Sequence, residues 1–329
     1  MRVAEAPICR DYREGDEIVI NRAFARESGV KRSLDEWAWL YPAEETGRTI
    51  VVAEVDGDVV AHCGGVPLRL AVDDGESDGV RVADVFGPSK PTAVSSSADL
   101  VDEVAEHFVE TIASRKSLQF LLGFATRRHA GADAFPQCFG APASPQFHTY
   151  TRERAAQSPP RRLLYRAEAA RDWEPRLDEL WARVRRQYPV AVVRDADRAL
   201  RRFAGHPTVR YQRFLVFPRF SARAVGFACF CCDDMRLRWV DLLWDHRHPG
   251  ALELLAHISA RLVRQFDVAG EELRLAGDEV ARVRLEALGF RRSANPAELS
   301  VVIRSFDPEL DAAKLLPRLY LTMADTAMV

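Results

Sequence analysis

The sequence predicts an α/β (α+β) protein of two tandem domains, each a mixed, mostly antiparallel sheet flanked by helices. Its 329 residues suffice for two domains, because one domain usually takes about 100 to 200 residues. Apolar residues make up 47% and charged residues 29% of the chain, which is typical of a globular protein. The strongest indication is the order of the predicted strands and helices, which occurs twice along the chain.

The first half begins with a short strand at residues 3–12, followed by two helices. Ser33, with Glu36 three residues later, predicts a capping box at the start of the second helix. The Asp56-Gly57 pair between two apolar runs predicts a β-hairpin. The remaining predicted elements are a strand at 80–86, a helix at 98–115, a buried strand at 118–125, a polar helical stretch after it and a strand at 146–154.

A serine- and proline-containing stretch at residues 155–162 predicts a linker, after which the same order of elements follows. The predicted elements of the second half are a strand at 163–168, helices at 173–188 and 195–203, strands at 211–217, 224–232 and 236–244, a helix at 249–266, a strand at 271–276, a helix at 278–290 and a strand at 299–306. We therefore predict an N-terminal domain over 1–157, a C-terminal domain over 158–305 and a docking tail over 306–329.

Charge and cysteine usage exclude several classes of protein. With 46 basic and 48 acidic side chains the net charge is -2, which argues against a nucleic-acid partner. The six cysteines form no CxxC pair and have no metal-ligand spacing with histidine, so we expect neither a disulfide framework nor a metal site. Cys229 and Cys231 share one face of a strand and are predicted to be buried, whereas Cys232 faces the other way.

The sequence contains no recognisable targeting or membrane-spanning signal. The first residues turn acidic before an apolar run can form, and no stretch approaches the ~18 apolar residues of a membrane-spanning helix. We expect a cytoplasmic protein that does not contact a membrane.

The doubled element order resembles that of the GNAT (N-acetyltransferase-like) acyltransferases over residues 3–305. In each half, a strand, two helices, a three-stranded meander, a helix, a strand, a helix and a strand follow one another. The segments that carry the resemblance are YREGDEIVINRAF, IVVAEVDGDVVAHCGGVPLRL, VDLLW and DEVARVRLEALGF. It implies a tandem GNAT protein that uses acetyl-CoA or another acyl-CoA as co-substrate.

The resemblance also implies where the acyl donor would bind. In that family the fourth strand holds the pantetheine arm, and the following glycine-rich loop binds the pyrophosphate at a helix N-terminus. The matching residues are Val85, Phe86, Gly87, Lys90, Ser95, Ser96 and Ser97. Prolines 88 and 91 remove two amide donors, so a solvated loop and a capped helix without ligand is an equal alternative. The second half lacks this loop, which predicts a structural or acceptor-binding domain.

Four side chains are candidates for general base catalysis. Asp84 occupies the position of a family carboxylate, although a carboxylate paired with an arginine is an alternative interpretation. Glu54 lies on a neighbouring strand, and His62 and His129 have suitable ordinary pKa values but could equally be structural. No tyrosine stands where the family places its leaving-group acid, and Cys138 fits a core thiol better than a nucleophile.

The sequence thus favours transfer of an acyl group from acyl-CoA, or a related thioester on acyl carrier protein, to a small-molecule amine or hydroxyl. An aminoacyl-tRNA-dependent transferase of the Fem type is an alternative, since the glycine-rich loop is lost. A non-catalytic binding or scaffold protein that kept the fold is a third possibility.

Overall fold

The structure is a computed structural model, which describes residues 6–43, 47–88, 97–125, 136–143, 147–154, 164–233, 235–294 and 300–326. The chain divides into two compact units. Unit 1 comprises Met1–Arg69, Ser77–Ala143 and Leu299–Leu316, and unit 2 comprises Leu70–Glu76, Ser144–Glu298 and Pro317–Val329. Each unit is a mixed sheet flanked by helices, so the predicted fold class is confirmed.

The predicted elements that fall on described residues occur in the predicted order, and three short strands, at 190–192, 291–294 and 319–322, were not predicted. The strands are β1 (Ile8–Asp11), β2 (Thr49–Val55), β3 (Asp58–Val72), β4 (Gly75–Phe86), β5 (Phe120–Ala125), β6 (His148–Glu153), β7 (Tyr165–Ala169), β8 (Val190–Val192), β9 (Gln212–Pro218), β10 (Gly226–Cys232), β11 (Arg236–Trp244), β12 (Gly270–Ala276), β13 (Arg291–Ala294), β14 (Ser300–Ser305) and β15 (Leu319–Thr322). The helices are α1 (Asp16–Ser28), α2 (Leu34–Leu40), α3 (Ser97–Ser114), α4 (Arg176–Val184), α5 (Ala196–Ala199), α6 (Pro249–Gln265), α7 (Glu279–Ala287) and α8 (Ala312–Leu315).

The sheet of unit 1 has the strand order β1-β2-β3-β4-β5-β14. Only the β4–β5 pair among the described registers of this unit is parallel. The turn between β2 and β3 lies at Asp56 and Gly57, which have φ values of 51° and 84°. Two successive residues with positive φ are typical of a type I′ turn, so the predicted hairpin is confirmed.

Helices cover both faces of this sheet because the side chains of β2 alternate between two cores. Val51 and Ala53 pack in the cluster that contains Phe108 of α3. Ile50 and Val52 pack in the opposite cluster, whose helical members include Ile20 of α1, Trp37 of α2 and Tyr41 directly after α2. The fourth strand, β4, therefore lies within a sheet that is supported from both sides.

In unit 2, β7, β9, β10 and β11 form an antiparallel series, and β11 pairs in parallel with β12. Helix α6 packs against this sheet through a largely apolar face that begins at Pro249, a favourable first helical residue. Cys229 and Cys231 of β10 are buried and Cys232 is exposed, as the alternation of strand side chains predicted. The predicted helix at 195–203 is α5 followed by a short π-helical turn, Leu200–Ala204.

The last strand of each predicted half belongs to the other unit. β14, from the second half, pairs antiparallel with β5 in unit 1, and β6, from the first half, pairs antiparallel with β12 in unit 2. The compact units are thus discontinuous in sequence. The predicted boundary between 157 and 158 lies outside the described residues and stays a prediction about the repeats.

The predicted docking tail is divided between the two units. Residues up to Leu316 belong to unit 1, whereas Leu319–Thr322 forms β15 within the sheet of unit 2. β15 is buried along its whole length and pairs in parallel with β8 and antiparallel with β12.

The described residues include neither a membrane-spanning helix nor a metal-binding cluster. None of their helices is long and apolar enough to cross a membrane. No group of three or more His, Cys, Asp or Glu side chains among them is arranged to hold a metal ion.

Candidate functional site

Asp84, near the end of β4, is held by two donors from the helical layer. Arg32 Nη1 donates to Asp84 Oδ2 over 2.6 Å, and the Tyr41 hydroxyl donates to the same oxygen over 2.8 Å. The Asp84 side chain is 14% exposed, and its other oxygen, Oδ1, accepts no hydrogen bond from a described residue. The arginine-paired carboxylate considered as an alternative is therefore what the structure contains, with one oxygen left over.

Helix α2 places both donors. Ser33 caps the helix, and its hydroxyl accepts from the Glu36 amide while the Glu36 carboxylate accepts from the Ser33 amide, so the predicted capping box is confirmed. Arg32 precedes this cap and Tyr41 follows the last helical residue, so the two donors to Asp84 stand at opposite ends of a helix of seven residues. Arg32 also stacks over the Phe24 ring, 4.4 Å from its centroid.

His62, on β3, lies in the same region and is fully buried. Its ring stacks on Phe86 with 5.0 Å between centroids, and Tyr41 meets it edge-on at 6.0 Å. Burial lowers the pKa of His62 to about 4, because the charged ring would lose its hydration. His62 is therefore a neutral imidazole at physiological pH.

Gly64 makes room for this arrangement. A Cβ atom at position 64 would lie 2.5 Å from the Tyr41 hydroxyl oxygen and 2.7 Å from His62 Cε1. Both distances are far below van der Waals contact, so any larger residue would displace the tyrosine or the histidine.

Several buried polar atoms here have no hydrogen-bond partner among the described residues. They are Asn21 Nδ2, Arg32 Nη2, and both ring nitrogens of His62. Asn21 Oδ1 accepts from Arg32 Nε over 3.0 Å, so the asparagine and the arginine form one unit. We refer to Asn21, Arg32, Tyr41, His62 and Asp84 as the Asp84 cluster. An unsatisfied buried donor costs about 1–3 kcal/mol, so this concentration makes the Asp84 cluster the candidate functional site.

The cluster lies where β4 separates from its parallel neighbour. Among the described residues, β4 and β5 pair only from Gly79 to Arg81 and from Phe120 to Leu122, although β4 continues to Phe86. From Ala83 to Phe86 the strand is only partly buried. Main-chain groups of an unpaired strand edge can bind an extended ligand as an added strand would.

The structure brings only some of the predicted site residues together. His62 stacks on Phe86, and Tyr41 contacts both His62 and Asp84, with Val85 and Gly87 adjoining on the chain. Glu54 instead forms an ion pair with Arg10, 2.8 Å away. The predictions for Lys90, Ser95, Ser96 and His129 lie outside the described residues, and Ser97 begins α3 without a described side chain.

Cys138 is not an activated nucleophile. It lies in the short helical turn Gln137–Phe139 and is partly buried. Burial raises the pKa of its thiol to about 11, so the thiol stays protonated at neutral pH.

Three residues of the Asp84 cluster escaped the sequence analysis: Asn21, Arg32 and Tyr41. Their contacts with one another and with Asp84 join residues 11, 43 and 52 positions apart. One available signal was the arginine directly before the capping box, since the same placement recurs in the second half.

In that second half, Asp241 of β11 is the counterpart of Asp84. Arg194 directly precedes the cap residue Asp195 of α5, just as Arg32 precedes Ser33. Arg194 Nε donates to Asp241 Oδ1 over 3.0 Å. Both units therefore hold the carboxylate of this strand with an arginine from the start of the same helix.

The opening between strands is filled in unit 2. β11 and β12 pair in parallel up to Trp239 and Leu273, and β15 then pairs with Leu275 and Ala276 of β12. Leu275 also pairs with His148 of β6, so β15 must lie on the side of β12 that faces β11. The last five residues of β11 are consequently all buried, in contrast to the end of β4.

No protein-family sequence profile and no curated protein sequence matches the chain. Solved structures do match it. A probable N-acyltransferase from Enterococcus faecalis V583 aligns with a TM-score of 0.67 at 8% identity, over 90% of this chain and 72% of that one. A GCN5-related N-acetyltransferase from Kribbella flavida gives 0.65 at 14% identity, over 91% and 71%.

Saccharomyces cerevisiae N-myristoyltransferase, solved with bound myristoyl-CoA, aligns with a TM-score of 0.61 at 10% identity. The alignment covers 97% of this chain and 89% of the yeast enzyme. At identities this low, the structural alignments establish the fold, and the chemistry has to be inferred from the residues of the site. The resemblance inferred from the order of elements is confirmed, and the chain has the GNAT fold.

Proposed function

We propose that unit 1 is an acyltransferase that moves an acyl group from a CoA thioester to the amine of a small molecule. The observation that carries the proposal is the opening between β4 and β5 directly beside Asp84. Structures of similar fold are described as N-acetyltransferases and as an N-myristoyltransferase with bound myristoyl-CoA, which supports an acyl-CoA donor.

The end of β4 fits the pantetheine arm of such a donor. Ala83–Phe86 is extended and partly exposed, and it pairs with no described residue of β5. Its amide and carbonyl groups would hydrogen-bond the amide groups of the arm, as one strand pairs with another. The bound thioester supplies an acyl carbon that is activated toward attack by nitrogen.

Asp84 is the group that would receive the proton of the acceptor. Its Oδ2 is engaged by Arg32 and Tyr41, and its partly exposed side chain leaves Oδ1 for the incoming amine. The amine nitrogen attacks the thioester carbon, a C–N bond forms and the C–S bond breaks. The nitrogen's proton passes to Asp84 and through water to the departing sulfur, so the products are an amide and a free thiol.

Tyr41 and His62 are positioning residues in this scheme. Burial, and next the charge of Asp84, raise the pKa of Tyr41 well above its ordinary value, so its hydroxyl remains a donor to Asp84. His62 stays neutral and fills the space between Tyr41 and Phe86. Neither ring adds charge to the site.

Calorimetry with CoA, acetyl-CoA and myristoyl-CoA tests the donor. We expect saturable binding of at least one acyl-CoA to the folded protein. An acyl carrier protein loaded with the same acyl group is a useful further donor, because it presents the same pantetheine arm. Absence of binding for every thioester would overturn the proposal.

The role of Asp84 is tested by the release of free thiol in the presence of a panel of small amines. Asp84→Asn should lower kcat/KM by about 100-fold or more, as expected for loss of a general base. Glu110→Gln, an exposed carboxylate on α3, is the matched control and should leave the rate unchanged. Wild-type rates in Asp84→Asn would contradict the proposed role.

A further inference from the structure

The ion pair between Arg32 and Asp84 uses one atom of each group. Arg32 Nη1 and Asp84 Oδ2 form the contact of 2.6 Å. The arginine side chain is only 10% exposed, and its Nη2 is buried without a hydrogen-bond partner among the described residues. Each group of this ion pair therefore keeps one atom, Arg32 Nη2 and Asp84 Oδ1, that has no hydrogen-bond partner among the described residues.

A second buried donor lies on the other side of the arginine. Asn21 is 9% exposed, and its Nδ2 also lacks a partner among the described residues. Its Oδ1 accepts from Arg32 Nε, which fixes the amide next to the guanidinium. The Asp84 cluster thus offers two donors that suit a carboxylate.

In unit 2, every nitrogen of the corresponding arginine, Arg194, has a hydrogen-bond partner. Arg194 Nη1 donates to the Val192 carbonyl, and Nη2 donates to the Asp325 carboxylate over 2.6 Å. Asp325 belongs to the short helical turn that follows β15. In unit 2 the chain's own segment thus fills the opening between strands and supplies a second carboxylate to the arginine.

The balance of charge differs between the two units. In unit 2 the second carboxylate is neutralised by Arg198, whose Nη2 donates to Asp325 Oδ1 over 2.6 Å. Arg198 stands three residues after the cap of α5, and the corresponding position after the cap of α2 is Glu36. A carboxylate that binds Arg32 must therefore bring its own positive charge.

We propose that the acceptor in unit 1 is an α-amino acid, with its carboxylate on Arg32 Nη2 and Asn21 Nδ2 and its amine on Asp84 Oδ1. The inference rests on the proposed acyl transfer and names its acceptor class. An α-amino acid carries an ammonium and a carboxylate group on the same carbon. These two groups match the carboxylate acceptor and the guanidinium donor of one ion pair. The amine then stands at the carboxylate that receives its proton.

The first test compares acceptors with the wild-type protein. The twenty α-amino acids are assayed for acyl-CoA-dependent thiol release, each beside its amide and its decarboxylated amine. We expect at least one amino acid to exceed both analogues by about 10- to 100-fold in kcat/KM, since hydrogen bonds to a charged group are worth about 1.5–3 kcal/mol. Equal use of amino acids and decarboxylated amines would overturn the inference.

Two variants then assign the effect to the cluster. Arg32→Lys keeps one cationic nitrogen for Asp84 and removes the second donor. Asn21→Asp keeps the acceptor for Arg32 Nε and replaces the amide donor with a carboxylate oxygen. Each should lower the ratio of kcat/KM for the amino acid to kcat/KM for its decarboxylated amine by about 10-fold or more. Arg26→Lys, an exposed arginine of α1, is the matched control.

A preference for amino acids that survives in both folded variants would contradict the assignment. Ligand-observed NMR of the same amino acids without any acyl donor separates the inference from the proposed function. Binding that Arg32→Lys abolishes supports the inference even when no acyl-CoA reacts. Absence of such binding, with acyl transfer to other amines intact, rejects the amino acid and leaves the acyltransferase.

Discussion

At the scale of single residues, the Asp84 cluster combines a buried ion pair with neutral aromatic groups. His62 is fully buried with no partner for either ring nitrogen among the described residues. The charge of Asp84 favours a protonated ring and the charge of Arg32 opposes it, but desolvation outweighs both. The cluster therefore keeps the neutral imidazole that its packing requires.

This imidazole makes stability dependent on pH. Below its ordinary pKa of 6.5 the unfolded chain takes up a proton at His62, whereas the folded protein does so only near its lowered pKa of about 4. The free energy of unfolding should therefore decrease as pH falls from 7 to 4, by up to about 3 kcal/mol from this group. In His62→Phe, which keeps an aromatic ring against Phe86, this part of the decrease should be missing.

Urea unfolding at several pH values measures the effect as the difference between the two proteins. A wild-type protein and a His62→Phe variant with parallel dependence on pH would show that His62 is protonated equally in the folded and unfolded states.

At the scale of elements, β15 and the turn after it complete unit 2. Asp325 is fully buried and accepts from both Arg194 and Arg198, and the Asp325 carboxylate also accepts from the Thr322 amide. The Tyr320 hydroxyl donates to the Leu242 carbonyl of β11. The segment therefore closes the strand opening with a buried ion-pair network as well as with apolar packing.

Asp325→Ala should destabilise the protein by about 3–5 kcal/mol, because it leaves the buried Arg194 without one of its two carboxylates. Asp74→Ala removes a carboxylate whose pair with Arg186 is exposed on both sides, so a much smaller loss is expected there. Thermal and urea unfolding give both values. Similar losses for the two variants would mean that the buried network contributes no more than a surface pair.

At the scale of the whole molecule, each compact unit needs a strand from the other half of the sequence. β14 gives unit 1 six residues that pair with β5, and Val302 joins its core. A fragment of residues 1–157 lacks β14, and the edge of β5 would be open. We expect this fragment to aggregate or to unfold without a cooperative transition.

Residues 1–143 joined to 300–316 by a short Gly-Ser linker are the matched control, because Ala143 already pairs with Val301. This protein should be monomeric by gel filtration and should melt cooperatively by circular dichroism. A well-folded 1–157 fragment would instead show that β6 can replace β14.

Much of the local structure was predictable because its causes are local. The Ser33–Glu36 capping box, the Asp56-Gly57 turn and the alternating burial of Cys229, Cys231 and Cys232 depend on residues close together in sequence. Asp84 was identified from its place in the element order. Its partners were not, because Arg32 and Tyr41 reach it only through the packing of α2 on the sheet.

The sequence by itself determined most of the elements and their order, and that order predicted the GNAT fold. Only the tertiary structure decided which strand completes the sheet of each unit. It also decided that the gap between the parallel strands is filled in unit 2 and not by any described strand in unit 1. The physical reason is that the alternating pattern of a strand specifies which side chains are buried but not which strand edge it pairs with, so the sequence could not assign β6 and β14 to their sheets. For the same reason only the fold could reveal that β15 fills unit 2 and that the end of β4 stays unpaired beside Asp84.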